Sequence, residues 1–155
     1  MLYTIYILLF FSQPQTSFKT TVDDFDKPKP KRQLVIQQAK KLINMPYVYS
    51  GSSPKGFDCS GFTKYIFGKV AQVKLDHSSQ AQSKTGKKVN LPKARAGDLI
   101  FFKKGKRINH VAIVEKVGRN ELWVIHSTSS RGVIRENVLK SPYWKTKIAY
   151  CRSVL

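Results

Sequence analysis

The spacing of apolar residues divides the chain into a helical first half and a strand-rich second half. Apolar residues recur at helical spacing over Gln33–Asn44, and Pro46 ends this predicted helix. A second such run predicts a helix from about Cys59 to Lys69, and a shorter helix is predicted over Ser78–Lys84. Later apolar runs predict strands at 98–103, 111–117, 121–127, 133–134 and 148–154. Helices followed by antiparallel strands predict an α+β fold, with the N-terminal helices packed on one face of a central sheet.

The first 18 residues carry no charge, and Met1–Phe11 is almost wholly apolar. A membrane-spanning helix needs about 20 apolar residues, so this shorter run fits the hydrophobic region of a secretory signal better. A preceding basic residue and a clear small-x-small cleavage site are both missing, and the alternative is a buried element at a true N-terminus. We predict a secretory signal at 1–18, a polar linker at 19–32 and one domain at 33–155. We therefore expect export to the periplasm, the cell envelope or the extracellular medium.

The net charge of +19 comes from 28 Lys and Arg residues against 9 Asp and Glu residues. A chain this basic is attracted to polyanions such as nucleic acid, anionic lipid or anionic wall polymers. The basic residues are scattered in short groups, and no zinc-finger spacing or RNA-binding signature accompanies them. We expect charge-driven contact with anionic wall polymers and no specific binding of nucleic acid.

Cys59 lies in the turn-forming segment Phe57–Phe62, directly before the apolar run of the second predicted helix. At the first turn of a helix, the dipole and the free backbone N–H groups stabilise a thiolate. This placement predicts a nucleophilic thiol whose pKa lies below its ordinary value. The alternative is a small buried hydrophobic residue, the more common role of a single cysteine. Cys151 lies in a predicted strand, so we expect a packed thiol there and no disulfide.

A cysteine nucleophile needs a base and a group that orients the base, and the chain contains three histidines. His110 begins one predicted strand and His126 ends the next, and the turn at 118–120 makes these strands a hairpin. The two histidines should then lie within about two positions of each other, and on one face if paired residue numbers add to an even total. The alternatives are structural histidines or a zinc site, although the short ligand spacing of zinc sites is absent. His77 lies in a polar segment and is interpreted as a surface residue.

Five motifs occur in the order found in a known enzyme family. They are Pro46–Gly51, Gly56–Phe62, Ala96–Phe102, Asn109–Ile113 and Ile125–Ser127. Together they resemble the NlpC-type bacterial cell-wall cysteine peptidases, over roughly residues 33–153. The resemblance implies a papain-like fold and hydrolysis of peptide bonds in peptidoglycan stem peptides. In such enzymes the bond commonly lies between a D-glutamyl residue and a diamino acid.

The resemblance also implies roles for residues of these motifs. Cys59 resembles the nucleophile, His110 the base that takes its proton and later protonates the leaving amine, and His126 the residue that fixes the tautomer of His110. The implied substrate-binding residues are Tyr47, Asp58 and Ser60. Simpler roles exist for these three, namely packing for the tyrosine and helix capping for the other two. An acyl group on the thiol would be stabilised by the backbone N–H of Cys59 at the helix start.

Two segments depart from the family pattern. Ser50–Gly51 stands where the family often has two glycines, and Asp76–Gln80 where it usually has Arg-x-Ser/Thr before a glutamine. The second departure bears on substrate-end preference rather than on the cysteine and its histidines. Two other functions stay open, an amidase or acyltransferase on the same scaffold and a non-catalytic basic domain that binds the cell wall. The set of Cys59, His110 and His126 favours an enzyme, which we expect to be a monomer without cofactor or metal.

Overall fold

The computed structural model describes residues 30–155. The predicted secretory segment 1–18 and all but the end of the predicted linker 19–32 lie outside the described residues. The first helix, α1 (Lys31–Lys41), begins slightly before its predicted start. Within residues 30–155, none of the helices combines the length and apolar content needed to cross a membrane.

The remaining helices are short. α2 (Cys59–Ile66) continues into a π-helical turn (Phe67–Ala71), and together they cover the second predicted helix. α3 (Ser79–Gln82) is the predicted third helix, reduced to little more than one turn. α4 (Pro142–Lys145) is not predicted by the sequence, because one turn of helix is too short for a periodic apolar pattern.

A six-stranded antiparallel sheet forms the centre of the domain. Its strands are β3 (Lys87–Val89), β4 (Leu99–Lys104), β5 (Arg107–Gly118), β6 (Glu121–Thr128), β7 (Gly132–Asn137) and β8 (Ile148–Ser153). They lie in the order β3-β8-β4-β5-β6-β7. Two shorter strands, β1 (Ser52–Ser53) and β2 (Gly56–Phe57), pair separately just before α2. The strands β4 to β8 are the five predicted ones, whereas the edge strand β3 has too little apolar content to be recognised.

The two faces of the sheet carry separate cores, because successive strand residues point to opposite sides. On one face, Phe101 and Ile113 pack against residues of α1 and α2 such as Phe62. On the other face, Phe102 and its neighbours pack against short segments that include Trp144 of α4. The predicted α+β arrangement is confirmed, with the N-terminal helices on one side of the sheet.

A β-bulge sets the register of the β5–β6 hairpin. Near the turn, Gly118 pairs with Glu121, so paired residue numbers add to an odd total. Beyond a register shift between Val114 and Lys116, Ile113 pairs with Ile125, and the total becomes even. The extra residue in β5 therefore brings the strand positions of the two histidines to the same face.

The bulged residue Glu115 is tied to two other elements. Its side chain is 8% exposed and forms ion pairs with Lys40 of α1 at 2.7 Å and with Arg135 of β7 at 2.6 Å. These contacts hold the bulge between the helix layer and the neighbouring strand.

Candidate active site

Cys59 is the first residue of α2, as the sequence predicts. Asp58 caps the helix, with its Oδ1 accepting a hydrogen bond from the backbone N–H of Gly61 at 2.6 Å. The buried residues Phe62 and Ile66 of α2 fix the helix on the sheet. A Cβ atom at Gly61 would collide with the carbonyl oxygen of Gly51, so the motif requires glycine where the loop crosses the helix.

The thiol of Cys59 is protonated at rest. Burial raises its pKa to about 11, and the charge of Asp58 acts in the same direction. Hydrogen bonding to the backbone groups of Val111, Ser60 and Cys59 itself lowers the pKa, but by less than burial and the Asp58 charge together raise it. The prediction of a thiolate with a lowered pKa is therefore wrong, because desolvation outweighs the helix N-terminus. The prediction of two free thiols is confirmed, with Cys59 half-buried and Cys151 buried.

The two strand histidines contact each other directly. His110 Nε2 lies 3.0 Å from His126 Nδ1, and their exposed fractions are 7% and 0%. Burial lowers the pKa of both imidazoles, so both are neutral near pH 7. Trp144 of α4 stacks on the His110 ring at a centroid distance of 4.4 Å and restricts its rotation. The predicted closeness of the two histidines across the hairpin is confirmed, and the even register at this end of the hairpin places both rings on one face.

Two charged residues extend the histidine pair. His126 Nε2 lies 3.2 Å from Glu136 Oε2, and the guanidinium of Arg131 donates to the same oxygen at 3.0 Å. The hydrogen bond from His126, together with that from Arg131, lowers the pKa of Glu136. This carboxylate is therefore ionised near neutral pH.

His77 is not the plain surface residue that the sequence indicates. Its Nε2 lies 3.2 and 3.1 Å from the two carboxylate oxygens of Asp58, and its side chain is 26% exposed. The Ser60 hydroxyl also donates to Asp58, at 3.0 Å. Asp58 is therefore held by protein groups on both oxygens, and the half-buried His77 packs against the start of α2.

A cleft of about 460 Å³ is lined both by Cys59 at the start of α2 and by His110 of the histidine pair. Cys59, His110 and Tyr47 line it together with Asn109, Arg131 and Trp144 and with the polar residues 127–130 at the end of β6 and in the turn that follows. Asp58 and Ser60 bond to each other beside this cleft, next to the nucleophile. A neutral thiol and a neutral imidazole that share one cleft can carry out nucleophilic attack once the imidazole takes the thiol proton.

The sheet also positions the segment that precedes the nucleophile. The Ser127 hydroxyl of β6 donates to the carbonyl oxygen of Phe57 in β2 at 2.7 Å, which ties this segment to the strand of His126. On the other side of the helix, the Gln82 side chain donates to the carbonyl oxygen of Ser60 at 3.0 Å. In residues 30–155, no three His, Cys, Asp or Glu side chains come together as a metal site would require.

Residues 44–153 match the sequence profile of the NlpC/P60 family. The chain belongs to this family. The NlpC/P60 domain of the peptidoglycan hydrolase SagA has the same fold, with a TM-score of 0.68 and 30% sequence identity over 79% of this chain and 97% of that domain. The papain-like architecture implied by the sequence motifs is thereby confirmed.

Two NlpC/P60 relatives carry different names. The gamma-DL-glutamyl hydrolase of Bacillus subtilis (strain 168) is 38% identical over 113 residues, which are 72% of this chain and 27% of the relative. The murein DD-endopeptidase MepS/murein LD-carboxypeptidase of Escherichia coli (strain K12) is 34% identical over 121 residues, 78% of this chain and 62% of the relative. The chain therefore spans less than two thirds of the length of these relatives.

Several site residues are absent from the sequence prediction. The sequence could have indicated Glu136 as a neighbour of His126. Glu136 lies two residues after Ile134, which pairs with His126, and alternate residues of a strand share a face. Trp144 and Arg131 lie in a short helix and a loop, where no periodic pattern exists. The contact between His77 and Asp58 depends on the fold and has no local sequence signal.

Proposed function

We propose that this chain is a cysteine endopeptidase that hydrolyses peptide bonds in peptidoglycan stem peptides. The observation that carries the proposal is one cleft lined by Cys59 at a helix start and by His110, whose ring is bonded to His126. Membership of the NlpC/P60 family and the names of the two relatives support the substrate class.

In the first step, His110 takes the thiol proton and Cys59 Sγ attacks the scissile carbonyl carbon. The receiving atom is Nδ1 of His110, because its Nε2 is engaged with His126. Collapse of the tetrahedral intermediate breaks the C–N bond, and His110 returns the proton to the leaving amine. Water then attacks the thioester, with His110 accepting its proton, and releases the carboxylic acid and the thiol.

The negative oxygen of the tetrahedral intermediate lies at the N-terminus of α2. Because Cys59 is the first residue of α2, its backbone N–H has no intrahelical partner, and we propose that it donates to this oxygen. Losing one such donor typically reduces kcat about 10²–10³-fold. The Cys59 thiol and the His110 imidazole are both neutral at the start. Negative charge therefore appears on the substrate oxygen only as the reaction proceeds, which is when this backbone N–H stabilises it.

The bond that we propose lies between a D-glutamyl residue and a diamino acid. The name of the Bacillus subtilis relative, which shares 38% identity, supports a glutamyl bond. Tyr47 is proposed to contact the substrate directly, since it lines the cleft beside the nucleophile. Asp58 and Ser60 are proposed to receive the free amine of a short stem peptide, which requires the substrate to compete with His77 for the carboxylate.

Mass spectrometry of fragments from defined muropeptides tests the function. Residues 1–155 would be incubated with tripeptide, tetrapeptide and cross-linked stems, and the proposal expects cleavage after D-glutamate. Cleavage only at the cross-link, or removal only of the terminal residue, would instead indicate the DD-endopeptidase or LD-carboxypeptidase activity for which the Escherichia coli relative is named. Release of the whole stem or transfer of the acyl group to an amine would indicate an amidase or an acyltransferase.

Two cysteine variants distinguish catalysis from binding. Cys59→Ala should abolish fragment release, while Cys151→Ala, which removes the buried thiol of β8, should keep it. Undiminished cleavage by Cys59→Ala would refute the mechanism. Binding to sacculi without cleavage by the unaltered chain would instead favour a basic wall-binding domain.

The site of action that we propose is the cell envelope or the medium, where peptidoglycan is exposed. The net charge of +19 supports contact with anionic wall polymers as a second, less specific interaction. We propose a monomer, since Cys59, His110 and the other cleft residues all come from one chain.

A further inference from the structure

Glu136 ends a line of hydrogen-bonded side chains that begins at the cleft. His110 is bonded to His126 at 3.0 Å, and His126 is bonded to Glu136 at 3.2 Å. The register of β6 and β7 explains this position, because Ile134 pairs with His126 and Glu136 lies two residues further on the same strand face. The line therefore draws one residue from each of three neighbouring strands.

When one histidine orients another, either ring can donate the proton of the hydrogen bond between them. Each neutral imidazole has one N–H donor and one acceptor nitrogen, so the bond between His110 and His126 can form with the proton on either side. If His126 Nδ1 donated, His110 would carry its own proton on Nδ1, the nitrogen that must accept the thiol proton. His110 would then be unable to act as the base, although the distance between the two rings would be unchanged.

A carboxylate next to His126 removes this ambiguity. Ionised Glu136 only accepts hydrogen bonds, so His126 must donate from Nε2 and accept at Nδ1. His110 must then donate from Nε2, which leaves the lone pair on Nδ1. We propose that Glu136 is a positioning residue that fixes the tautomers of both histidines and so keeps the basic nitrogen of His110 available to Cys59.

The surroundings of the line support this role. The Arg131 guanidinium donates at 3.0 Å to the Glu136 oxygen that faces His126 and holds its negative charge in place. Trp144 packs against both imidazole rings from α4 and adds no charge. The Glu136 side chain is 17% exposed, so its charge is only partly screened by solvent.

Steady-state kinetics of three variants test the catalytic part, which rests on the proposed function. Glu136→Ala should lower kcat about 10–100-fold, as the loss of a group that orients a histidine often does, with KM within about twofold of the wild-type value. Glu136→Gln keeps one acceptor oxygen. Arg131 and His126 both donate to the same oxygen position of residue 136, so they favour the amide orientation that places the acceptor there, and the variant should retain most of kcat. Glu121→Ala is the matched control, since it removes a partly exposed carboxylate of β6 that is paired with Lys116, and should match the wild type.

Nitrogen-15 NMR of histidine-labelled residues 1–155 tests the tautomers without relying on activity. We expect the Nε2–H tautomer for His110 and His126, and a fraction of Nδ1–H for His126 in Glu136→Ala. A His77→Asn variant identifies the signals of the third ring. Unchanged tautomers in Glu136→Ala would overturn the proposal whatever happens to kcat, and changed tautomers with an unchanged kcat would also contradict it. If the chain cleaves no stem peptide, the proposed function fails while the tautomer measurement still decides this inference.

Discussion

The two sides of the cleft are built in different ways. The nucleophile side is one continuous segment, in which Asp58, Cys59 and the rest of α2 follow each other in sequence. The histidine side is assembled from three strands that contribute His110, His126 and Glu136. The first side depends on local backbone geometry, and the second depends on strand register.

The reacting groups of the two sides are neutral for the same physical reason. Burial raises the pKa of the Cys59 thiol and lowers the pKa of His110, so the thiol and the imidazole are each neutral alone. Neither of these two groups is charged before the other takes part in the reaction. The comparison teaches that the local motif determines where the nucleophile lies, whereas its reactivity depends on a base that is placed by long-range pairing.

Removal of the base should give the largest effect. His110→Ala leaves Cys59 without a proton acceptor, and we expect kcat/KM for a stem peptide to fall about 10³–10⁶-fold, as in other nucleophile–base pairs. The melting temperature, measured alongside, shows whether the fold survives the loss of the ring that stacks on Trp144. A loss of less than tenfold in a folded variant would mean that another group serves as the base.

Alkylation kinetics probe the nucleophile side alone. In a Cys151→Ala background, Cys59 is the sole thiol, because the chain has two cysteines. Since the pKa of Cys59 is about 11, the iodoacetamide rate should rise about tenfold per pH unit from pH 7 to pH 10. A plateau below pH 8 would show that the helix N-terminus dominates over burial after all.

Two substitutions of Asp58 separate helix capping from charge. Asp58→Ala removes the cap and should lower the free energy of unfolding by about 1 kcal/mol, whereas Asp58→Asn can still accept from Gly61 and should cost less. Both variants remove a charge that raises the pKa of Cys59, so both should alkylate faster than wild type below pH 10. Chemical denaturation and iodoacetamide kinetics measure the two effects. Equal stability of the alanine variant and the wild type would contradict the capping role.

Stability at mildly acidic pH sharpens the view of the histidine side. The folded-state pKa values of His110 and His126 lie below 6.5, so the unfolded chain binds more protons than the folded chain below that pH. Their contribution to stability is complete above about pH 6.5 and is lost as the pH falls. We expect the free energy of unfolding to drop by about 1–3 kcal/mol between pH 7.5 and pH 5.5. A His110→Asn/His126→Asn variant should show a flatter dependence, and an equal slope in both proteins would assign the effect to other groups.

Salt should give the smallest effect and act outside the cleft. Because the screening length falls to about 3 Å at 1 M salt, high salt should weaken sacculus binding by the Cys59→Ala protein severalfold. Pull-down with purified sacculi measures this binding, and cleavage of a small muropeptide by the wild type serves as the comparison. Binding that is independent of salt would make the basic surface irrelevant to substrate association.

The sequence predicts the elements that carry apolar periodicity or a contiguous motif. The helix that begins at Cys59 and the hairpin of β5 and β6 both follow from local patterns. These features depend on neighbouring residues in the chain, which is the range over which such patterns carry information.

The features that escaped prediction depend on distant contacts. The raised pKa of Cys59 results from burial by surrounding elements, which no helix-start motif reveals. His77 reaches Asp58 across 19 positions, and Glu136 reaches His126 only through the pairing of β6 with β7. Short elements such as α4 lack any period, so the stacking of Trp144 on His110 has no sequence signal either.

The bulge at Glu115 imposes a parity rule on how this hairpin can change length. Its single extra residue converts an odd register at the turn into an even register at the histidines. Loss or gain of one residue inside β5 or β6, between a histidine and the turn, would exchange the two faces of that strand and separate the rings, whereas a change of two residues can keep them together. Relatives whose strands differ in length between a histidine and the turn should therefore differ by an even number of residues there, or else lack this bulge or carry a second one, while the turn itself can vary freely.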